Sequence, residues 1–178
     1  MPTGHVFIGT SLDGFIARRD GDIDWLTGFS SLGEDHGYAA HIDRVDGIIM
    51  GRGTFEAVKG FEPWPYDRPV LVLSRRLMET DIPDALRGKV EIINASPPDA
   101  MKLAGERGWR GVYLDGGAVI QSFLRAGLID DMVISRVPVL IGEGLPLFGP
   151  VAGDVALEHV GTKSFPSGLV QSFYRVRK

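Results

Sequence analysis

Short apolar, β-branched runs alternate along the chain with stretches of helical spacing. That is the pattern of an α/β sheet with helices on its faces. The first strand is predicted at 5–9, with others at 47–50, 70–73, 90–93 and 111–114. Between the first two, 11–33 is predicted as a loop, because Asp13-Gly14 and Asp20-Gly21 are turn pairs. Helices are expected over 34–45 and 54–59, and Pro63, Pro65 and Pro69 make 60–69 a loop. Ser96 is an N-cap with Pro97 in the first turn of a helix reaching about Arg107. Another helix spans 118–126 and is closed by Gly127. Three strands follow without long helices between them, at 131–137, 155–162 and 169–176. Ser164-Phe165-Pro166-Ser167-Gly168 joins the last two as a hairpin turn. The mostly parallel sheet therefore ends in an antiparallel hairpin.

At 178 residues, with no linker or repeat, the chain is expected to be one domain over 1–178. A net charge of -4 leaves no basic footprint for nucleic acid, so any phosphate must be held by local cations. The absence of cysteine excludes disulfides, thiol nucleophiles and Cys-type zinc sites, and fits a reducing compartment. Met1-Pro2-Thr3-Gly4-His5 lacks a basic leader region, and no stretch reaches membrane-spanning length. The expectation is a cytoplasmic protein with no membrane or nucleic-acid partner.

Three segments change the picture from fold to chemistry. Gly51-Arg52-Gly53-Thr54, Leu73-Ser74-Arg75-Arg76 and Asp115-Gly116-Gly117-Ala118 each follow a predicted strand, and two of them open a helix. Free N–H groups at a helix start attract anions. Glycine lets the backbone approach a phosphate, and arginine supplies a forked donor that matches it. Three such segments on successive strand ends point to a dinucleotide. Arg52 in a first helical turn opposes the helix dipole, a misfit that an adjacent anion would relieve.

These residues resemble the dihydrofolate reductase-like fold, a three-layer α/β/α arrangement. Specifically, they resemble the reductase family typified by the C-terminal domain of the bifunctional riboflavin-biosynthesis deaminase-reductase. Ser11-Leu12-Asp13-Gly14-Phe15-Ile16-Ala17 resembles its "SLDG-x-IA" signature, and Gly51-Arg52-Gly53-Thr54-Phe55-Glu56 resembles "G-R-x-T-[FW]-E". Leu71-Val72-Leu73-Ser74-Arg75 resembles the "VLSR" strand end, and Gly116-Gly117 matches the Gly-Gly turn. The stretch from Gly127-Leu128-Ile129-Asp130-Asp131 to Leu145-Pro146-Leu147-Phe148 resembles the family's ending.

The resemblance implies NADPH as hydride donor, a small-molecule substrate and a homodimer. Carried over by position, Gly51, Arg52 and Thr54 would face the phosphates, and Ser74 and Arg75 would hold the 2′-phosphate. Gly116, Gly117, Ala118 and Val119 would cradle the pyrophosphate, with Thr10, Ile16 and Ala17 along the nicotinamide. One charge-assisted hydrogen bond of about 1.5–3 kcal/mol would favour NADPH over NADH by roughly tenfold or more.

The acceptor side departs from true dihydrofolate reductases. Asp20-Gly21-Asp22-Ile23-Asp24-Trp25 resembles their "NGDLPW" segment, but Ser30 and Ser31 stand where those enzymes keep a pterin-binding carboxylate. Glu34 and Asp35 are the nearest acids, and Arg68 stands where they keep an arginine for the folate tail. Folate reduction therefore ranks below a heterocyclic or phosphorylated substrate of the riboflavin type. A non-catalytic NADP-binding domain is a further alternative. Asp13 is the expected catalytic and substrate-binding carboxylate, ahead of His36 and His41 as proton donor. Trp25 is the expected ring-stacking partner of the substrate, with Phe55 and Trp64 as weaker ones.

Overall fold

The computed structural model describes residues 1–30 and 33–178. In chain order the elements begin β1 (Thr3–Ser11), β2 (Phe15–Ala17), α1 (Asp24–Ser30), α2 (Tyr38–Ile42), β3 (Gly47–Gly51) and α3 (Arg52–Val58). They continue β4 (Val70–Leu73), β5 (Val90–Ile93), α4 (Pro97–Glu106), β6 (Gly111–Asp115) and α5 (Gly117–Arg125). The chain ends with β7 (Asp131–Val137), β8 (Leu145–Pro146), β9 (Leu157–Ser164) and β10 (Val170–Val176). Eight strands form one sheet in the order β5-β4-β3-β6-β1-β7-β10-β9. Pairing is parallel from β5 to β7 and antiparallel where β10 meets β7 and β9.

Parallel strands covered on both faces need apolar side chains in both directions, and alternation along these strands supplies them. Val6, Ile49, Leu71, Val112 and Leu114 point to one layer, with Met101 and Ala104 of α4 and Ile120 and Phe123 of α5. Ile48, Met50, Val70, Val72 and Tyr113 point to the other, with Ile42 of α2 and Phe55 and Val58 of α3. The expected α/β/α layering with an antiparallel C-terminal hairpin is what forms.

Two local expectations differ from the structure. The predicted loop at 11–33 contains β2 and α1. β2 is too short to show a periodicity, and its partner β8 lies far along the chain. α1 follows an Asp22 side chain that accepts the Asp24 N–H, and Trp25 anchors it against Val137 and Leu169. The helix predicted at 34–45 is confined to α2. Gly37 is left-handed at φ 84°, the Asp35 carboxylate accepts its N–H, and Glu34 is drawn instead to Ser167. Arg68 then donates to the Val45 and Ile42 carbonyls, satisfying acceptors at the far end of α2.

Candidate active site

Parallel register brings the carboxyl ends of β3, β4, β5 and β6 to one edge: Gly51 pairs with Leu73, Leu73 with Ile93, and Met50 with Asp115. Ligands of open α/β sheets bind outside such ends. A cleft of about 790 Å³ opens there. All three segments singled out from the sequence border it. Gly51, Arg52 and Thr54 come from the β3–α3 junction, Ser74 and Arg75 from the end of β4, and Gly116, Gly117, Ala118 and Val119 from the β6–α5 turn. Ile16 of β2 joins them, and Leu145 and Pro146 of β8 border the same space. Arg76, the last residue of the β4 segment, lines the cleft as well, as do Asn94 and Gln121, which were not singled out from the sequence.

The floor of the cleft is shaped by absent side chains. A Cβ on Gly116 would collide with the Thr54 hydroxyl, and one on Gly117 would meet the Ile16 Cδ1 at 2.8 Å. These two glycines let the start of α5 approach both α3 and β2. Arg52 pairs with Glu56 one turn on, Nη1 to Oε2 at 3.1 Å. The Ser74 hydroxyl accepts the Arg76 and Leu77 N–H groups at 3.1 and 3.0 Å, which folds the chain after β4 into a tight turn. Among the described residues the Arg75 and Arg76 guanidinium groups have no ion-pair or hydrogen-bond partner, and both side chains are exposed.

Thr10, Ala17, Asp13 and Trp25 do not border the cleft. Thr10 is buried in β1 opposite Arg136, and Ala17 is buried in the β2–β8 pair opposite Leu145. The Asp13 carboxylate accepts the Gly142 N–H at 2.8 Å and the Ile141 N–H at 3.3 Å. The Ser11 hydroxyl, with those two N–H groups, holds its carboxyl below the usual range. An ionised carboxylate engaged this way ties the turn after β1 to the segment before β8, and it is a poor proton donor near neutrality. Trp25 is buried with Val137 and Leu169, and Phe55 lies in the core.

Glu34 accepts from the Ser167 hydroxyl, the Ser167 N–H and His36, so it fastens the C-terminal hairpin turn. Ser31 and the side chain of Ser30 lie outside the described residues.

One carboxylate went unassigned in the sequence although it stands in a quoted motif. Asp115 ends β6 immediately before Gly116. Tyr66 donates to its Oδ2 at 2.8 Å, and Trp64 packs edge-on to Tyr66 with centroids 5.1 Å apart. Protein surrounds Asp115, yet part of its surface remains accessible. Burial pushes its carboxyl above the ordinary range, against the opposing Tyr66 hydroxyl and Gly116 N–H. The same enclosure raises the Tyr66 hydroxyl far above its usual value and Tyr38 to about 12. Asp115 does not itself border the cleft; it directly precedes Gly116, which does, and an acid displaced by burial next to a cleft-lining turn is a candidate functional group. The signal available in the sequence was an acid directly before the Gly-Gly turn.

The model of the RibD C-terminal domain matches residues 2–171. The chain belongs to that family. It is 35% identical over 175 residues to the uncharacterized protein YwjB of Bacillus subtilis, covering 96% of each chain. A crystal structure described as a putative riboflavin biosynthesis protein from Shewanella sp. PV-4 superposes with TM-score 0.91 at 38% identity, covering 99% of both chains.

Two more distant structures bear on the fold alone. The deaminase and 5-amino-6-(5-phosphoribosylamino)uracil reductase of Thermotoga maritima gives TM-score 0.74 at 15% identity, covering 99% of this chain and 57% of that one. A dihydrofolate reductase from Enterococcus faecalis, complexed with NADP(H), gives 0.66 at 17% identity, covering 99% and 97%. The fold is thus dihydrofolate reductase-like, as the motifs implied. Among the described residues no helix is long and apolar enough to cross a membrane, and no group of three metal-ligating side chains gathers.

Proposed function

We propose that this chain is an NADPH-dependent reductase acting on a small heterocyclic or phosphorylated substrate, of the class reduced in riboflavin biosynthesis. The observation that carries the reading is the meeting of Arg52, Ser74-Arg75 and Gly116-Gly117 at one cleft on the strand carboxyl ends. The residues present fit a dinucleotide. A Cβ at Gly116 or Gly117 would collide with Thr54 or Ile16 at the edge of the cleft, the nine-residue α5 turns its N-terminus to it, and among the described residues Arg75 and Arg76 have no competing acid.

When bound, the nicotinamide supplies a hydride, and reduction then consumes one proton. Asp115 is the proposed proton source. Burial favours its neutral form, and Tyr66 fixes the orientation of the carboxyl. Asp13 is proposed as a positioning residue that holds β2, and with it Ile16, against the cleft. Dihydrofolate ranks second as acceptor. Arg68, at the position where dihydrofolate reductases keep an arginine for the folate tail, is engaged with the Val45 and Ile42 carbonyls.

Titrating NADPH while following protein fluorescence tests the donor half; absence of binding at high micromolar concentration would sink it. NADPH oxidation across a panel of pyrimidines, pterins and dihydrofolate tests the acceptor half. Tight binding without turnover on any of them would favour a non-catalytic NADP-binding domain.

A further inference from the structure

A second cavity, of about 360 Å³, lies on the Tyr113 face of the sheet between α2 and the C-terminal strands. It shares no lining residue with the cofactor cleft. Its polar floor is unusual. His41 of α2 is only 4% exposed, and among the described residues neither ring nitrogen has a hydrogen-bond partner. The ring is held in place by Phe7, at 5.1 Å between centroids, and by Tyr113, edge-on at 4.7 Å. Beside it Gln171, 2% exposed, gives Nε2 to the His36 carbonyl and to the Ser135 hydroxyl, both at 2.9 Å. That fixes the amide and leaves its oxygen as an acceptor.

The walls and rim have a different character. Phe7, Phe165 and Phe173 supply flat apolar surface. Arg44 and Lys163 supply positive charge: Arg44 keeps one Nη2 on Asp131 at 2.7 Å with its side chain half exposed, and Lys163 Nζ lies 5.5 Å from the Phe173 ring centroid. Asp35 is the acid on the rim, and its Oδ1 accepts the Gly37 N–H.

Each part selects one feature of a ligand. One nitrogen of the neutral imidazole, now closed off from solvent, can bond a hydroxyl or amino group that also bonds the Gln171 oxygen once the ring turns toward it. Aromatic walls favour a planar ring. Two cations at the rim favour a carboxylate, which arginine binds through paired N–H groups. The volume is within the roughly 300–1,000 Å³ of small-molecule sites.

We propose that this cavity binds a small aromatic carboxylate carrying a ring hydroxyl or amino group. The ring lies among Phe7, Phe165 and Phe173, the carboxylate meets Arg44 and Lys163, and the hydroxyl or amino group meets His41 and Gln171. The site is independent of the reductase reading, because it uses none of the residues assigned to the cofactor.

The test is calorimetric titration of the full chain with 4-hydroxybenzoate, alongside benzoate and phenol, while NMR follows the His41 ring. The expected result is a Kd of about 100 μM or tighter for 4-hydroxybenzoate, with benzoate and phenol each weaker by about tenfold. The His41 ring signals should shift on binding. Lys163→Glu, on an exposed strand position, should weaken 4-hydroxybenzoate about tenfold and leave NADPH affinity unchanged. No binding of 4-hydroxybenzoate, unchanged His41 signals, binding insensitive to Lys163→Glu, or displacement by NADP would each overturn the proposal.

Discussion

Gly116 packs so close to Thr54 that a methyl group at position 116 would collide with the Thr54 hydroxyl. Gly116 also has φ of 90°, a conformation L side chains rarely adopt. This contact joins the β6–α5 turn to α3 across the floor of the cleft. Gly116→Ala should therefore destabilise the fold by about 1–3 kcal/mol and weaken NADPH at least about tenfold. Chemical denaturation and a fluorescence titration measure the two effects. Unchanged affinity would mean that the turn does not face the cofactor.

Asp115 should dominate the chemical step. Asp115→Asn keeps the shape but cannot donate a proton, and should lower kcat by about 10²–10⁴ with cofactor affinity within about threefold. In the native chain kcat should fall as pH rises through the raised Asp115 pKa, and the Asn variant should lose that alkaline limb. Because the Tyr66 hydrogen bond lowers the Asp115 pKa, Tyr66→Phe should move the limb to higher pH. A pH–rate profile that none of these variants alters would remove Asp115 from the mechanism.

Arg75 carries the predicted preference for NADPH. Arg75→Ala should weaken NADPH by roughly tenfold or more while NADH changes little. The gap between the two cofactors should also narrow as salt is added, since the side chain is exposed. Equal losses for both cofactors would place Arg75 away from the 2′-phosphate.

Asp13 separates positioning from chemistry. Asp13→Ala frees the Gly142 and Ile141 N–H groups and should raise the NADPH dissociation constant several-fold, about half a decade, with kcat at saturation largely kept. The opposite split, affinity kept and kcat lost, would give Asp13 a direct catalytic role.

His41 should make the fold acid-sensitive. Burial, then the neighbouring His5 and Arg44, push its imidazole down to about 4, with Asp131 opposing. In the unfolded chain the group takes its ordinary value near 6.5. The unfolded state thus binds more protons between these values, so the contribution is full above about 6.5 and disappears as pH falls through about 4. It amounts to about 3 kcal/mol. Denaturation midpoints at several pH values should show the decline, and His41→Phe should flatten it.

Much of the fold was legible because each core strand carries its own signal. Ile48-Ile49-Met50, Val70-Leu71-Val72 and Val112-Tyr113-Leu114 are apolar on both faces, as buried parallel strands must be. Ser96 and Gly127 likewise mark helix ends through local backbone chemistry. β2, α1 and the late start of α2 were not legible. Their causes are contacts with β8, Val137 and Ser167, made by residues far apart in sequence.

For the site, what could be read from sequence was the placement of glycines and arginines directly after strands, whose parallel order brings them to one edge. The surroundings of the carboxylates came from packing alone. Asp13 and Asp115 stand in equally suggestive motifs. One lies exposed on backbone N–H groups that stabilise its charge, and the other is enclosed beside Tyr66, where burial opposes charge. A carboxyl's pKa depends on the water and dipoles around it, and those are supplied by packing rather than by its neighbours in the chain.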